Sequence, residues 1–202
     1  MKRVSVIIPV RQGETETASL LKELSPRLPA DWEIIVSQSA TGLNRAQTLN
    51  RGAEQSQGEF LWFLHGDSRL TSETIPALEK AISEKPNAFH YFKLQFYPTR
   101  KRMKINAIGA NLRSQILRSP FGDQGLCIQK DKFLSLGGFD ESTAYGEDLL
   151  FVWKAQQKGI HLNRIPSYLY TSDRKYRKQG WIKITLLHQY LYWKLAIRHF
   201  GL

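Results

Sequence analysis

Phe60-Leu61-Trp62-Phe63-Leu64 is followed at once by His65-Gly66-Asp67. Five large apolar residues bounded by Gly58 and by a polar break read as a strand buried on both faces. A strand that ends on His-Gly-Asp places a carboxylate at its carboxyl end. Working outward, the same design recurs. Val4 to Ile8 reads as a strand ending at Pro9, and Trp32 to Val36 as another. Helices fill the gaps: Glu14 to Leu28, with Leu20, Leu21, Leu24 and Leu28 near one face, Asn44 to Gln57, and Thr71 to Glu84. Strand and helix in alternation predict an α/β fold built on a doubly wound, mostly parallel sheet flanked by helices. In such sheets ligands bind beyond the carboxyl ends of the strands. Arg11 to Glu14 and His65 to Asp67 both fall there.

The second half is less regular. Ala88 to Tyr97 reads as an extended segment, and Arg102 to Arg118 as a helix with Ile105, Ile108, Leu112 and Ile116 turned inward. Gly122-Asp123-Gln124-Gly125, a short strand, Gly137-Gly138-Phe139-Asp140 and Glu147-Asp148 follow, the last pair opening a helix to Lys158. A closing helix, Trp181 to Phe200, is rich in aromatic residues. No linker separates the halves, so 1–202 is expected to be one domain with two halves, 1–87 and 88–202, and a C-terminal amphipathic helix in the second.

Composition narrows the class. The chain has 202 residues, 42% of them hydrophobic, and carries a net charge of +11. After Asp148 there are ten Lys or Arg residues against one acid, Asp173. This asymmetry points to an anionic partner near the C-terminal part: a diphosphate, a nucleic acid or an anionic lipid surface. Nucleic acid is not expected, because no binding motif accompanies the charge. The lone Cys127 lies in an apolar run and reads as a buried small hydrophobe in a reducing compartment. The apolar run Val4 to Val10 is too short for a signal-peptide core, and no window of about 20 residues is free of charge. A cytoplasmic protein is expected, associated with the inner face of the membrane if its basic amphipathic helices over 98–119 and 181–200 reach one.

Two acidic positions carry the candidate chemistry. Asp67 could hold a divalent cation together with a diphosphate, or it could cap the helix that follows. Glu147-Asp148 could supply a base for an attacking hydroxyl, or simply satisfy the dipole of the helix it opens.

Val6-Ile7-Ile8-Pro9, the Phe-Leu-His-Gly-Asp run at 63–67, Gly-Asp-Gln-Gly at 122–125, Gly-Gly-Phe-Asp at 137–140 and Glu-Asp at 147–148 occur in one order. The chain thereby resembles the family 2 glycosyltransferases with the GT-A fold. Within them it is similar to a small bacterial subgroup with a His-x-Asp metal motif and a Thr-Ser-x-Arg-Arg segment near its end, matched here by Thr171-Ser172-Asp173-Arg174-Lys175. The resemblance implies an inverting, metal-dependent transfer of a sugar from a nucleotide-sugar, UDP-linked by expectation, to an acceptor hydroxyl. It implies Asp148 as base with Glu147 beside it. Asp67, with His65 adjacent, is the implied ligand of Mg²⁺ or Mn²⁺. Pro9, Arg11, Glu14 and Gln38 are the implied donor contacts from the first two strand ends. Arg45, Asp67, Arg174 and Arg177 are those expected around the diphosphate. Gly122, Asp123, Gln124 and Gly125 are the implied acceptor loop. A lipid or lipid-linked acceptor would suit the basic, aromatic C-terminal helix.

The chain departs from the family where Asn-Glu usually follows the first strand, since Arg11-Gln12-Gly13-Glu14 stands there. After the second strand it has Ser37-Gln38-Ser39 with no acid, and the stretch from Ser39 to Asn44 is short. These departures keep a second reading open, a non-catalytic relative that has lost donor recognition. A nucleotidyltransferase is the third, for which Arg11-Gln12-Gly13 is a poor phosphate loop.

Overall fold

A computed structural model of the chain describes residues 2–10, 16–39 and 42–201. Three strands build its first half: β1 (Lys2–Val10), β2 (Trp32–Gln38) and β3 (Gly58–Phe63). They pair in parallel in the order β2-β1-β3. Side chains alternate across the pleat, so both faces of β1 are filled. Val4, Val6 and Ile8 point into one apolar cluster, and Ile7 into another. Helices α1 (Glu16–Leu24) and α3 (Thr74–Glu84) cover the first face with Leu20, Leu24, Ile75, Leu78 and Ile82, all buried. Between them the two-residue β4 (Arg69–Leu70) forms the far edge of the sheet. Helix α2 (Arg45–Gln55) covers the second face with Ala46, Leu49 and Ala53. Asn44 starts α2 through a capping box, its side chain accepting from the Gln47 amide at 2.9 Å. Burying each of these leucines stabilises the fold by about 1.5–3 kcal/mol.

The second half completes a seven-stranded mixed sheet in the order β2-β1-β3-β6-β5-β7-β4, with β5 (Phe89–Tyr97), β6 (Cys127–Gln129) and β7 (Leu162–Ser172). The expectation of a mostly parallel sheet is corrected here. Strand β6 runs antiparallel to both β3 and β5, and β4 antiparallel to β7. The physical reason lies in the connection. After α4 (Lys101–Ile116) the chain does not enter the sheet at once; it returns to the carboxyl ends of the strands at Gly122, then descends as β6. Strand β7 is parallel to β5, with a register shift opposite Phe92 and Lys93, where Pro166 offers no amide to the ladder. Helices α5 (Lys130–Ser135) and α6 (Glu147–Gln157) join α2 on the second face.

Helix α4 overturns a second expectation. Ile105, Ile108, Leu112 and Ile116 are between 50% and 69% exposed. The buried side is made by smaller or more polar residues: Met103, Ala107 and Ser114. Small side chains let the helix sit close enough for Asn111 to bond the backbone of Leu94 in both directions, at 2.8 and 2.9 Å. The α4 backbone carbonyl of Ser114 also accepts from the Tyr91 hydroxyl. The chain ends in α7 (Arg174–Gln179) and α8 (Trp181–Phe200), the latter packed on α6 through Tyr192, Leu195 and Ala196 against Leu149 and Trp153. Cys127 is buried in β6, and burial raises its thiol far above the ordinary range. No helix among the described residues is long and apolar enough to cross a membrane.

Candidate active site

The site forms where three chain segments meet at the carboxyl ends of β3, β5 and β7. The first is the turn after β3, closed by the Ser68 amide donating to the His65 carbonyl at 3.0 Å. It carries His65 and Asp67. The Tyr97 hydroxyl, at the end of β5, donates to the Asp67 backbone carbonyl at 2.9 Å. From the end of β7 the Thr171 hydroxyl lies 3.5 Å from the Asp67 carboxylate.

The second segment is the Gly122 loop. A side chain at Gly122 would collide with three groups at once: Asp148 Oδ2 at 2.8 Å, His65 Nε2 at 2.9 Å and an Arg45 guanidinium nitrogen at 3.0 Å. Glycine is needed there because the backbone itself fills the space between them. Its amide donates to Asp148 Oδ2 at 2.5 Å. Gln124, fully buried, spends its amide on the loop, donating to the Phe92 carbonyl at 2.9 Å and accepting from Ser114 at 2.6 Å. Gly125 takes a left-handed conformation with φ of 61° and lies against Leu169, Trp62 and Phe92. Asp123 points between these elements. Its Oδ1 is enclosed, with no hydrogen-bond partner among the described residues. Desolvation pushes its carboxyl up to about 6; Asp148 and Asp67 add to the rise, and Arg113 opposes it.

The third segment is the start of α6. Gly146 enters the helix with φ of 74°, and Leu195 of α8 fills the space a side chain there would take. Asp148 Oδ1 accepts the Leu149 amide at 2.8 Å. Glu147 is 6% exposed and pairs with Arg45, which also bonds His65 Nε2. Arg45 thus links the strand-end turn to the acidic pair of α6, and Glu147 serves to hold it.

The remaining predicted contacts are placed as follows. Pro9 and Gln38 sit at the ends of β1 and β2, Gln38 exposed and Pro9 partly so. Arg11 and Glu14 lie outside the described residues. Arg174 pairs with Glu16. Arg177 bonds Asp173 Oδ1 at 2.7 Å, while Arg100 approaches Oδ2 of the same buried carboxylate at 3.2 Å. Gly137 to Asp140 falls apart from this meeting point. Gly138, with φ of 66°, lets Asn50 come close enough to bond the Phe139 amide and carbonyl, both at 2.9 Å, so this motif clamps α2 to the loop before α6.

Sequence reading missed Arg113. It lies 3.6 Å over the Phe121 ring and bonds the Ser119 carbonyl, and burial lowers its affinity for the proton. Its position on α4 gives no warning, because the strongest apolar stripe of that helix is its exposed one.

The donor set does not make a protein cage for a metal. Among the described residues no group of three or more His, Cys, Asp or Glu side chains is placed to hold one. The lone pair on His65 Nε2 faces a guanidinium, which does not suit a metal ligand. Asp67, at the strand end, fits a single protein carboxylate that shares Mg²⁺ or Mn²⁺ with diphosphate oxygens, the usual manner for these hard cations.

Comparisons with known proteins bear on the family and the fold. Residues 5–132 match the model of glycosyl transferase family 2. An uncharacterized glycosyltransferase of Haemophilus influenzae is 23% identical over 183 residues, covering 77% of this chain and 62% of the relative. The crystal structure of S. aureus TarS superposes with a TM-score of 0.63 at 19% identity, over 84% of this chain and 36% of TarS. TarS 1–349 in complex with UDP-GlcNAc gives 0.62 at 18% identity, over 84% and 58%. The catalytic domain of Drosophila beta1,4galactosyltransferase 7 gives 0.55 at 13% identity, over 82% and 65%. The chain therefore spans less than two thirds of the length of each of these proteins, and the superposed structures share its GT-A architecture. With the model matching most of its length, the chain belongs to glycosyl transferase family 2.

Proposed function

We propose that the protein transfers a sugar from a nucleotide-sugar, UDP-linked, to an acceptor hydroxyl with inversion at the anomeric carbon. One observation carries the reading: the Gly122 backbone brings Asp148 to the same point as the His65–Asp67 strand end. This closeness supports reading Asp148 as the base beside a diphosphate-binding strand end. The bound UDP-GlcNAc of the TarS complex supports a uridine nucleotide as the donor.

Each residue then has a role. Asp148, fixed by the Gly122 and Leu149 amides, accepts the acceptor proton. The freed oxygen attacks the anomeric carbon as the bond to the diphosphate oxygen breaks on the opposite face. No covalent enzyme intermediate is needed. Glu147 orients Arg45, and on this reading the Arg45 charge answers that of the leaving diphosphate. Asp123 lines the acceptor loop, and the positive charge of Arg113 favours its ionised form. Asp67 would hold Mg²⁺ or Mn²⁺, and His65 supports the turn through Arg45. When bound, the ion neutralises charge on the leaving diphosphate. Arg174 and Arg177 lie close enough in sequence to the end of β7 to exchange Glu16 and Asp173 for phosphate oxygens.

The test is a thermal-shift screen of UDP, GDP, TDP and CMP sugars with and without Mn²⁺. A shift that requires both UDP-sugar and metal, and disappears in Asp67→Ala, is expected. A second reading, the non-catalytic relative, draws on β2. Ser37 there is buried and bonded to the Thr48 carbonyl at 2.6 Å, and no acid stands beside it for a base. Absence of any nucleotide-dependent shift would favour that reading.

A further inference from the structure

Outside the site, the largest unexplained feature is apolar surface. On α8, Ile182, Leu186, Tyr190, Trp193, Ile197 and Phe200 are each between 49% and 64% exposed. Their spacing of three and four residues makes one continuous stripe along the helix. The stripe on α4, Ile105 to Ile116, has the same spacing. Each stripe lies away from the side by which its helix is buried, through Met103, Ala107 and Ser114 on α4 and Ile184, Tyr192 and Leu195 on α8. The helices are neighbours: Asn106 of α4 bonds both Thr185 and Trp181 of α8 at 3.0 Å.

Charge selects what covers this surface. Residues 98–119 and 174–202 contain no Asp or Glu at all. Lys101, Arg102 and Lys104 flank one stripe, and Lys183, Lys194 and Arg198 the other, all exposed. A second copy docking here would bring like charges together with no carboxylate to answer them. A nucleic acid would answer the charge but lay its phosphates against isoleucine and leucine. An anionic bilayer satisfies both features, with aliphatic side chains and the Tyr190 and Trp193 rings at the acyl boundary and cations among the headgroups.

We propose that the outer faces of α4 and α8 together form a docking surface for an anionic lipid bilayer. The surface borders the site, since Leu195 packs on Gly146 directly before Glu147 and Asp148. It stands independently of the transfer reaction and is tested without it. The full chain is sedimented with vesicles of phosphatidylcholine alone and of phosphatidylcholine with phosphatidylglycerol. Binding to the anionic vesicles is expected, weakened by salt. It should fall about tenfold or more in Ile108→Ser/Ile116→Ser and again in Leu186→Ser/Ile197→Ser, because each apolar group removed weakens insertion. Lys183→Gln/Lys194→Gln should lower binding to anionic vesicles by several-fold. Trp32, Trp62 and Trp153 are buried and Trp181 is partly buried, so in Trp181→Phe the one exposed tryptophan left is Trp193, and the vesicle-induced blue shift of that protein should be largely lost on adding Trp193→Phe. Vesicle binding undiminished by the serine variants would overturn the proposal. So would a vesicle-free dimer that those variants dissolve, which makes the surface a self-association face, or tight binding of a single-stranded oligonucleotide without binding to vesicles.

Discussion

The two halves of the sheet bury opposite kinds of residue. In residues 2–84 the helices turn leucine and isoleucine onto the strands, and the buried polar groups are hydroxyls such as Ser5, Thr17 and Thr48. From residue 89 onward the fold encloses an imidazole, an amide and carboxylates, at His90, Gln124, Glu147 and Asp173, while α4 and α8 expose their largest aliphatic side chains. The first half is organised chiefly by the hydrophobic effect, with hydroxyls and a helix cap satisfying local backbone groups. The second accepts the cost of buried polar groups in order to shape a loop and hold charges in register, and among the described residues it leaves His90 Nε2, Asp123 Oδ1 and Asp173 Oδ2 without a hydrogen bond. Apolar surface is left over on its outside.

That contrast can be broken at its strongest points first. Asp148→Asn keeps an acceptor for the Gly122 amide but cannot take a proton. Transfer is expected to fall about 10²–10⁴-fold with nucleotide binding and melting temperature nearly unchanged. A variant that loses binding as well would move Asp148 from the base to the donor site. Next in size, Leu78→Ala opens a cavity in the apolar half, where Leu78 is completely buried. Its expected cost is about 2–5 kcal/mol in denaturant unfolding.

How much of this was legible in the sequence follows from the same contrast. Strands β1, β2 and β3 and the leucine faces of α1 and α3 were readable because one force sets them and period alone reports it. The acidic pair of α6 and the strand-end Asp67 were readable as positions. Their meeting through Gly122 was not, because it depends on β6 entering the sheet antiparallel, which no local pattern encodes. The same limit hid β7, where Pro166 and a register shift interrupt the alternation. It also reversed α4, whose strongest apolar stripe is the exposed one. Periodicity locates a stripe but not what it faces. The link from Arg45 to Glu147 joins residues 102 positions apart in sequence and left no local trace.

A smaller effect probes the buried polar groups. His90 is fully enclosed in β5, with Asn163 at 3.1 Å from its Nδ1, and burial lowers its pKa to about 4. The folded state holds it neutral, while the unfolded chain takes up a proton near 6.5. Stability from this group is therefore complete above pH 6.5 and declines as the pH falls toward 4. The loss over that window should be about 2–3 kcal/mol. Urea unfolding at pH 7 and pH 4.5 should show the decline, and His90→Gln should flatten it. Equal slopes in both proteins would mean that other groups govern acid sensitivity.

The smallest expected effect is the most discriminating. Ile108 is 60% exposed on the helix whose inner face was misassigned. If the exposed stripe is a surface, Ile108→Ser should change the unfolding free energy by no more than about 0.5 kcal/mol, as for other surface positions. Leu78→Ala and Ile108→Ser remove similar amounts of aliphatic carbon, and the hydroxyl that Ile108→Ser adds is costly only if the site is covered, so a large difference between their costs reports burial. A loss at Ile108 approaching that at Leu78 would mean that the stripe is covered in the free protein, and the inversion between the two halves would disappear. A negligible loss in unfolding beside a large one in vesicle binding would instead separate the two uses of aliphatic side chains: in the first half they hold the fold, and on α4 they are kept outside for a partner.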